Sequence, residues 1–73
     1  MSEPLDLTGL KCPLPALFTR RALAKLKPGD ELEVIADDPL AAVDIPHMAH
    51  QESHAVLSVI RDGALTRFTL RKA

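Results

Sequence analysis

The sequence lacks several features that would place the chain in common protein classes. Its 73 residues include a single cysteine, so neither an intrachain disulfide nor a Cys-x-x-Cys dithiol cycle is possible. No apolar run approaches the roughly 20 residues that span a bilayer, and residues 1–4 carry no basic and apolar leader. We therefore expect no membrane association, no secretion and a cytoplasmic location.

The chain also has no excess of positive charge, because nine Lys and Arg residues face ten Asp and Glu residues. Strong general nucleic-acid binding relies on many cations, so we expect no direct nucleic-acid partner. The charges are segregated along the chain: no acid lies between Asp6 and Asp30, and no Lys or Arg lies between Pro28 and Ile60. This pattern predicts one cationic and one anionic face, which either only solubilise the protein or steer it to a charged partner.

Turn residues and hydrophobic periodicity divide the chain into six elements. Strands are predicted at 5–8, 31–36, 55–61 and 64–71, with one helix from about 12 to 26 and another between Pro39 and Ser53. The order βαβαββ in so short a chain leaves room for only two layers. Residues 1–73 are therefore predicted to form a single α+β domain. It is a two-layer α/β sandwich, with two helices on one face of a mixed four-stranded sheet.

Three local features of this prediction depend on particular residues. Asp38 is expected to cap the second helix, with Pro39 in its first turn. Pro46 is expected to kink or restart that helix, with Asp44 capping the second piece. The dipeptide Asp62-Gly63 between two apolar runs predicts a hairpin with a type I′ turn.

Cys12 is the side chain with the clearest chemistry. It lies at the predicted N-cap of the first helix or one residue before it, where free N–H groups and the helix dipole favour a thiolate. Lys11 adds a positive charge, while Pro13 and Pro15 stiffen the turn and leave the N–H groups of Leu14 and Ala16 to face an anion. We therefore expect a lowered thiol pKa. The alternative is a structural cysteine that fills space in the core.

The first helix carries two apolar stripes. One has a 3-4-3 spacing and is expected to pack on the sheet: Ala16, Thr19, Leu23 and Leu26. The other lies on a different side, with two arginines at its rim: Leu14, Leu17, Phe18, Arg20 and Arg21. This second stripe is either part of a broad buried face or a partner-docking patch beside Cys12.

The three histidines are the remaining candidates for chemistry. His47, His50 and His54 are spaced i, i+3 and i+7, a stripe that can bind zinc if one helix contains all three. Because the helix is expected to end before His54 and no fourth ligand is nearby, solvated histidines are the preferred interpretation. We expect no metal and no cofactor. A small metal-binding domain using Cys12 and the histidines is kept as an alternative.

The segment Gly9-Leu10-Lys11-Cys12-Pro13-Leu14-Pro15 resembles the C-P-x-P signature of the TusA/SirA-type sulfur carriers. The resemblance covers nearly the whole chain and continues through these segments: Lys27-Pro28-Gly29-Asp30, Ala36-Asp37-Asp38-Pro39, Asp44-Ile45-Pro46, Asp62-Gly63 and Arg71-Lys72. It implies a two-layer βαβαββ sandwich. The chain departs from the pattern at the x position, where tRNA-thiolation members often have an acid and this chain has Leu14.

The resemblance implies that Cys12 carries sulfane sulfur as a persulfide. The expected partners are a cysteine desulfurase or another sulfur-donor protein, and a downstream acceptor protein. One destination of the sulfur in such proteins is 2-thiouridine in tRNA. The free chain is expected to be a monomer. The alternative is a regulatory or protein-interaction module in which Cys12 is only structural, and thiol reactivity distinguishes the two.

Overall fold

A computed structural model describes residues 4–73 of the protein, and its elements follow the predicted order. They are β1 (Leu5–Asp6), α1 (Leu14–Ala24), β2 (Glu31–Ala36), α2 (Ala41–Gln51), β3 (Ala55–Asp62) and β4 (Leu65–Arg71). Within the described residues, neither helix is both long and apolar enough to cross a membrane. The prediction that there is no secretory leader concerns the N-terminal residues, and residues 1–3 lie outside the described part of the chain.

The four strands form one mixed sheet in the order β1-β2-β4-β3. Strand β1 runs parallel to β2, while β4 lies between β2 and β3 and is antiparallel to both. The parallel pair needs a crossover, which α1 provides, and the β3–β4 pair needs only a tight hairpin. The predicted fold, an α+β sandwich with both helices on one face of a mixed four-stranded sheet, is confirmed.

The two faces of the sheet differ as the alternation in β2 and β4 predicts. Six alternating residues of these strands are buried beneath the helices: Leu32, Val34, Ala36, Thr66, Phe68 and Leu70. On the open face, charged neighbours on paired strands form two ion pairs: Arg67–Glu33 at 2.6 Å and Arg71–Glu31 at 3.4 Å. The open face is therefore partly neutralised by its own side chains.

Helix α1 packs on the sheet through the predicted stripe, in which Thr19 and Leu23 are fully buried. The second stripe is divided between surface and core. Leu14 and Leu17 remain 39% and 37% exposed, whereas Phe18 is half-buried against the core. Neither of the two interpretations of this stripe therefore holds for all of its residues.

The end of α1 lies two residues before the predicted one, at Ala24. The chain continues past it in a tighter turn, because the Lys25 N–H bonds to the Ala22 carbonyl and the Leu26 N–H to the Leu23 carbonyl.

Helix α2 contradicts two predictions about its capping. It begins at Ala41 with Leu40 as the N-cap, so Asp38 is not the cap. The helix also continues through Pro46 without restarting, and Asp44 lies in its first turn. The Asp38 carboxylate accepts the Leu40 N–H, as a cap would, but this bond belongs to the turn before the helix, because α2 begins only at Ala41. The helix ends at Gln51, close to the predicted end.

The hairpin between β3 and β4 is displaced by one residue from the predicted one. Asp62 pairs with Leu65 in the ladder, so the two turn residues are Gly63 and Ala64. Gly63 has φ +62°, and Ala64 is not among the described residues with positive φ. Positive φ at the first position alone is the pattern of a type II′ turn, so the predicted type I′ turn is wrong.

Candidate functional site

Cys12 lies in the loop between β1 and α1, and its side chain is exposed. The N-cap of α1 is Pro13, so the cysteine precedes the cap by one residue, which is the second of the two predicted positions. Because the side chain is exposed, Cys12 fills no space in the core, and the core-filler interpretation is wrong. The thiol is open to a partner molecule.

Two adjacent aspartates after β2 hold the Cys12 loop in place. The Cys12 N–H donates to Asp38 Oδ2 at 2.6 Å, and the Leu40 N–H donates to Asp38 Oδ1 at 3.2 Å. The Gly9 N–H donates to Asp37 Oδ1 at 3.0 Å. Asp38 itself is only 7% exposed. These bonds fasten the loop before α1 to the loop before α2, and so fix the backbone that carries the sulfur.

The pairing of these two loops was missed from the sequence, although one signal for it exists. Strands β1 and β2 run parallel, so the loops that follow them leave the sheet at the same edge. Acidic residues directly after β2 are therefore close to the residues that follow β1. The sequence interpretation instead assigned Asp38 to the cap of α2, because an aspartate before a proline is typical of a helix start.

The thiol itself contacts a third acid. The Cys12 thiol donates to Asp44 Oδ2 at 2.7 Å, although the two residues are 32 positions apart in the chain. This hydrogen bond, with a smaller contribution from desolvation and then from the charges of Asp44 and Asp38, raises the pKa of the Cys12 thiol above its usual value. The predicted lowering of this pKa is therefore wrong.

The expected activation fails for a geometric reason. Of the two N–H groups expected to face an anion, those of Leu14 and Ala16, the Leu14 N–H donates instead to the Lys11 carbonyl at 2.8 Å. The hydrogen-bond partner of the sulfur is thus a carboxylate of α2 rather than this N–H at the start of α1. A negative group in direct contact outweighs the fraction of a charge at a helix terminus.

The other predicted site residues lie around this centre on the start of α1. Lys11 and Pro13 are exposed beside Cys12, whereas Pro15 is buried. On the surface of the same helix, Arg21 lies over the Phe18 ring, with 5.9 Å from its guanidinium carbon to the ring centre.

Arg20 projects on that helix toward α2. Its Nε is 3.8 Å from an oxygen of Glu52, and both side chains remain largely exposed. This pair joins the two helices at the surface, so Arg20 is partly neutralised before any partner arrives.

Two exposed apolar residues near this centre were not predicted. Leu40 and Val43, at the start of α2, are 54% and 65% exposed. They flank Asp44 on the helix, since Val43 precedes it directly and Leu40 lies one turn before it. Their exposure could have been predicted, because Ala41 and Ile45 occupy the buried face of α2 and leave Leu40 and Val43 on another side of the helix.

The three histidines do not form one metal-binding cluster in the described part of the chain. His47 and His50 are exposed on α2, while His54 lies beyond its end and accepts the Ala73 N–H through Nδ1 at 3.0 Å. Within residues 4–73, no group of three His, Cys, Asp or Glu side chains is arranged to hold a metal ion. The described residues therefore offer no support for the alternative of a metal-binding domain.

The chain matches a known protein family over nearly its whole length. The sequence pattern of the family described as sulfurtransferase TusA matches residues 3–72. The chain belongs to the TusA family. This TusA-family chain is 46% identical over 66 residues to a relative from Neisseria meningitidis serogroup A, and equally to one from serogroup B. Both relatives are named "Putative sulfur carrier protein", and the match covers 89% of each chain.

The structure of the TusA-family chain also resembles a solved one. The crystal structure of the SirA-like protein from Desulfitobacterium hafniense superposes with a TM-score of 0.82, covering 93% of both chains. At 23% identity this likeness shows the shared fold. Together with the family match, it confirms the TusA/SirA-like resemblance. The family match and the names of the two relatives support a role as a sulfur carrier.

Proposed function

We propose that the protein accepts sulfane sulfur as a persulfide on Cys12 and relays it to an acceptor protein. The observation that carries this proposal is the single thiol of the chain, exposed on a loop whose backbone is fastened by Asp38 at 2.6 Å. A carrier needs a sulfur that two successive partners can reach and that stays in one place between them. An exposed thiol on a fixed backbone meets both requirements.

The chemistry is an exchange of sulfur between thiols. In loading, Cys12 Sγ attacks the outer sulfur of a donor persulfide, and the donor thiolate leaves. In unloading, an acceptor thiolate attacks the outer sulfur on Cys12, and Cys12 leaves as the thiolate. Each step needs a sulfur that serves as both nucleophile and leaving group. A persulfide is easily oxidised, which is consistent with a reducing cytoplasm.

Specificity is expected to come from docking rather than from a substrate pocket. The exposed Leu14 and Leu17 lie within two helical turns of Cys12, with Arg20 and Arg21 directly beyond them. We assign this surface to the protein partners: a cysteine desulfurase or another donor, and then an acceptor. Delivery toward tRNA 2-thiouridine is one route, and other sulfur-trafficking pathways use the same chemistry.

The deciding experiment follows the mass of the protein during sulfur loading. After incubation with a cysteine desulfurase and cysteine, the wild type should gain one sulfur atom, which a thiol reductant removes. Cys12→Ser should gain none. Its fold should persist, because a serine hydroxyl can donate to Asp44 as the thiol does.

Two outcomes would contradict the proposal: a wild type that gains no sulfur from any persulfide donor, or a serine variant that gains as much as the wild type. Circular dichroism of the variant separates loss of the thiol from loss of the fold. A variant that unfolds would instead support a structural role for Cys12.

A further inference from the structure

Asp44 is placed to control the sulfur from an element that the C-P-x-P motif does not include. It lies in the first turn of α2, is half-buried, and accepts the Cys12 thiol proton at Oδ2. Asp38 holds the backbone N–H of the same cysteine. A thiol that must become negative in order to react therefore lies against two carboxylates, one of them in direct contact with it.

We propose that Asp44 is a catalytic residue of the sulfur transfer, which holds the Cys12 proton in the free carrier and selects partners that bring a cationic group to the sulfur. This inference rests on the proposed function, because it assigns a role within the same reaction. A cation that pairs with Asp44 takes the place of the S–H donor and offsets the charge that opposes a thiolate. The carrier is then least reactive when it is alone.

The charged groups around the sulfur come from each segment that meets there. Asp44 belongs to α2 and Asp38 to the loop before it, while Lys11 precedes Cys12 in its own loop. The hydrogen bond to Asp44 is the largest of the causes that raise the pKa of the thiol. Lys11 carries the opposite charge, but its side chain is exposed and screened by solvent, whereas Asp44 touches the sulfur.

The loading step balances without any oxidant. The Cys12 S–H bond breaks, and Sγ forms a bond to the outer sulfur of a donor persulfide, R–S–SH. The bond between R–S and that outer sulfur breaks, and R–S leaves with the electron pair and takes up the proton. Cys12–SH and R–S–SH thus become Cys12–S–SH and R–SH. A cation beside Asp44 helps because the thiolate of Cys12 forms along this path.

The test uses the full chain and three small symmetrical disulfides that need no docking: cystamine, which is cationic, bis(2-hydroxyethyl) disulfide, which is neutral, and dithiodiglycolate, which is anionic. Each exchanges with Cys12 and releases one thiol, whose appearance gives the rate. At low ionic strength the wild type should react fastest with the cation and slowest with the anion. We expect a difference of about two- to fivefold per step, the size of one charge–charge contact near water.

Asp44→Asn should make the rates with the three disulfides nearly equal, because it keeps the size of the side chain and removes the charge. Glu31→Gln is the matched control, since it removes a carboxylate at the opposite end of β2 from the Asp38 loop and should leave the order unchanged. The pH profile with the neutral disulfide gives a second readout. Its midpoint should lie at lower pH in Asp44→Asn than in the wild type, because the charge opposing the thiolate is gone.

The outcomes that overturn the proposal are equal rates for the three disulfides in the wild type, a reversed order set by Lys11, or an order that Asp44→Asn retains. If Asp44→Asn fails to fold, equal or reversed rates in the wild type still overturn the proposal. Failure of sulfur loading from a desulfurase is a separate result, because it overturns the proposed function without changing the disulfide rates.

Discussion

Asp38 makes a sharp prediction about stability, because its buried carboxylate is the hydrogen-bond acceptor for two backbone N–H groups. Asp38→Ala removes the acceptor of both the Cys12 and Leu40 N–H groups. A hydrogen bond to a charged group contributes roughly 1.5–3 kcal/mol. Water can reach part of the exposed Cys12 loop and replace some of the lost hydrogen bonding. The expected loss in free energy of unfolding is therefore about 2–4 kcal/mol. A loss of this size lowers the melting temperature of a small domain by roughly 10–25 °C.

The measurement is urea unfolding of the wild type, Asp38→Ala and Asp38→Asn, with thermal melts alongside. An amide keeps one acceptor oxygen but turns an NH2 group toward the other N–H, so the Asn variant should also lose stability. Asp37→Asn is the matched control, since Asp37 accepts one exposed N–H, that of Gly9, and should cost under about 1 kcal/mol. An Asp38→Ala variant within about 0.5 kcal/mol of the wild type would refute the assigned role of the carboxylate.

Two further predictions test the hairpin and the docking surface. Gly63→Val should cost about 1–3 kcal/mol in a thermal melt, because Gly63 has φ +62° and a β-branched residue resists that conformation. No heavy atom beyond the two neighbouring residues lies within 4 Å of an added Cβ, so the backbone conformation sets the cost, and an unchanged melt would contradict the turn assignment. Arg20→Glu combined with Arg21→Glu should slow sulfur transfer from an acidic partner protein several-fold at low salt, and less at high salt. The reaction of Cys12 with a small neutral disulfide should stay nearly unchanged, whereas equal slowing of both reactions would point to damage at the thiol.

The fold could be predicted from the sequence because its signals are local and agree with one another. The alternation in β2 and β4, the proline and glycine turns and the order of the elements all predict the same two-layer sandwich of helices on a sheet. The errors lie where a residue serves a distant segment. Asp38 has the local pattern of a helix cap, but its carboxylate oxygens accept N–H groups from two loops. The type of the hairpin turn depended on a one-residue register that local patterns do not define.

The place of the candidate cysteine could be predicted from the sequence, but its electrostatic surroundings could not. The position of Cys12 before a helix with two prolines is a local feature of the sequence. The sign of its pKa shift depends on Asp44, which lies 32 residues away and reaches the sulfur only because α2 packs beside the start of α1. Helix-dipole reasoning uses only the segment around the cysteine, so it gave the wrong direction.

The fold brings together the cationic and anionic segments that are separate in the sequence. They predicted two separate faces, but the cationic and anionic segments meet at the sulfur, because parallel β1 and β2 bring their following loops to one edge. Lys11 comes from the cationic segment, and Asp38 and Asp44 come from the anionic one. A partner that covers Cys12 therefore contacts basic side chains along α1 and an acid at the start of α2. Under the proposed function and the proposed role of Asp44 together, a good donor or acceptor needs acidic groups on one side of its reactive cysteine and a cation on the other. A uniformly acidic partner would meet α1 well and still leave the Cys12 proton on the thiol.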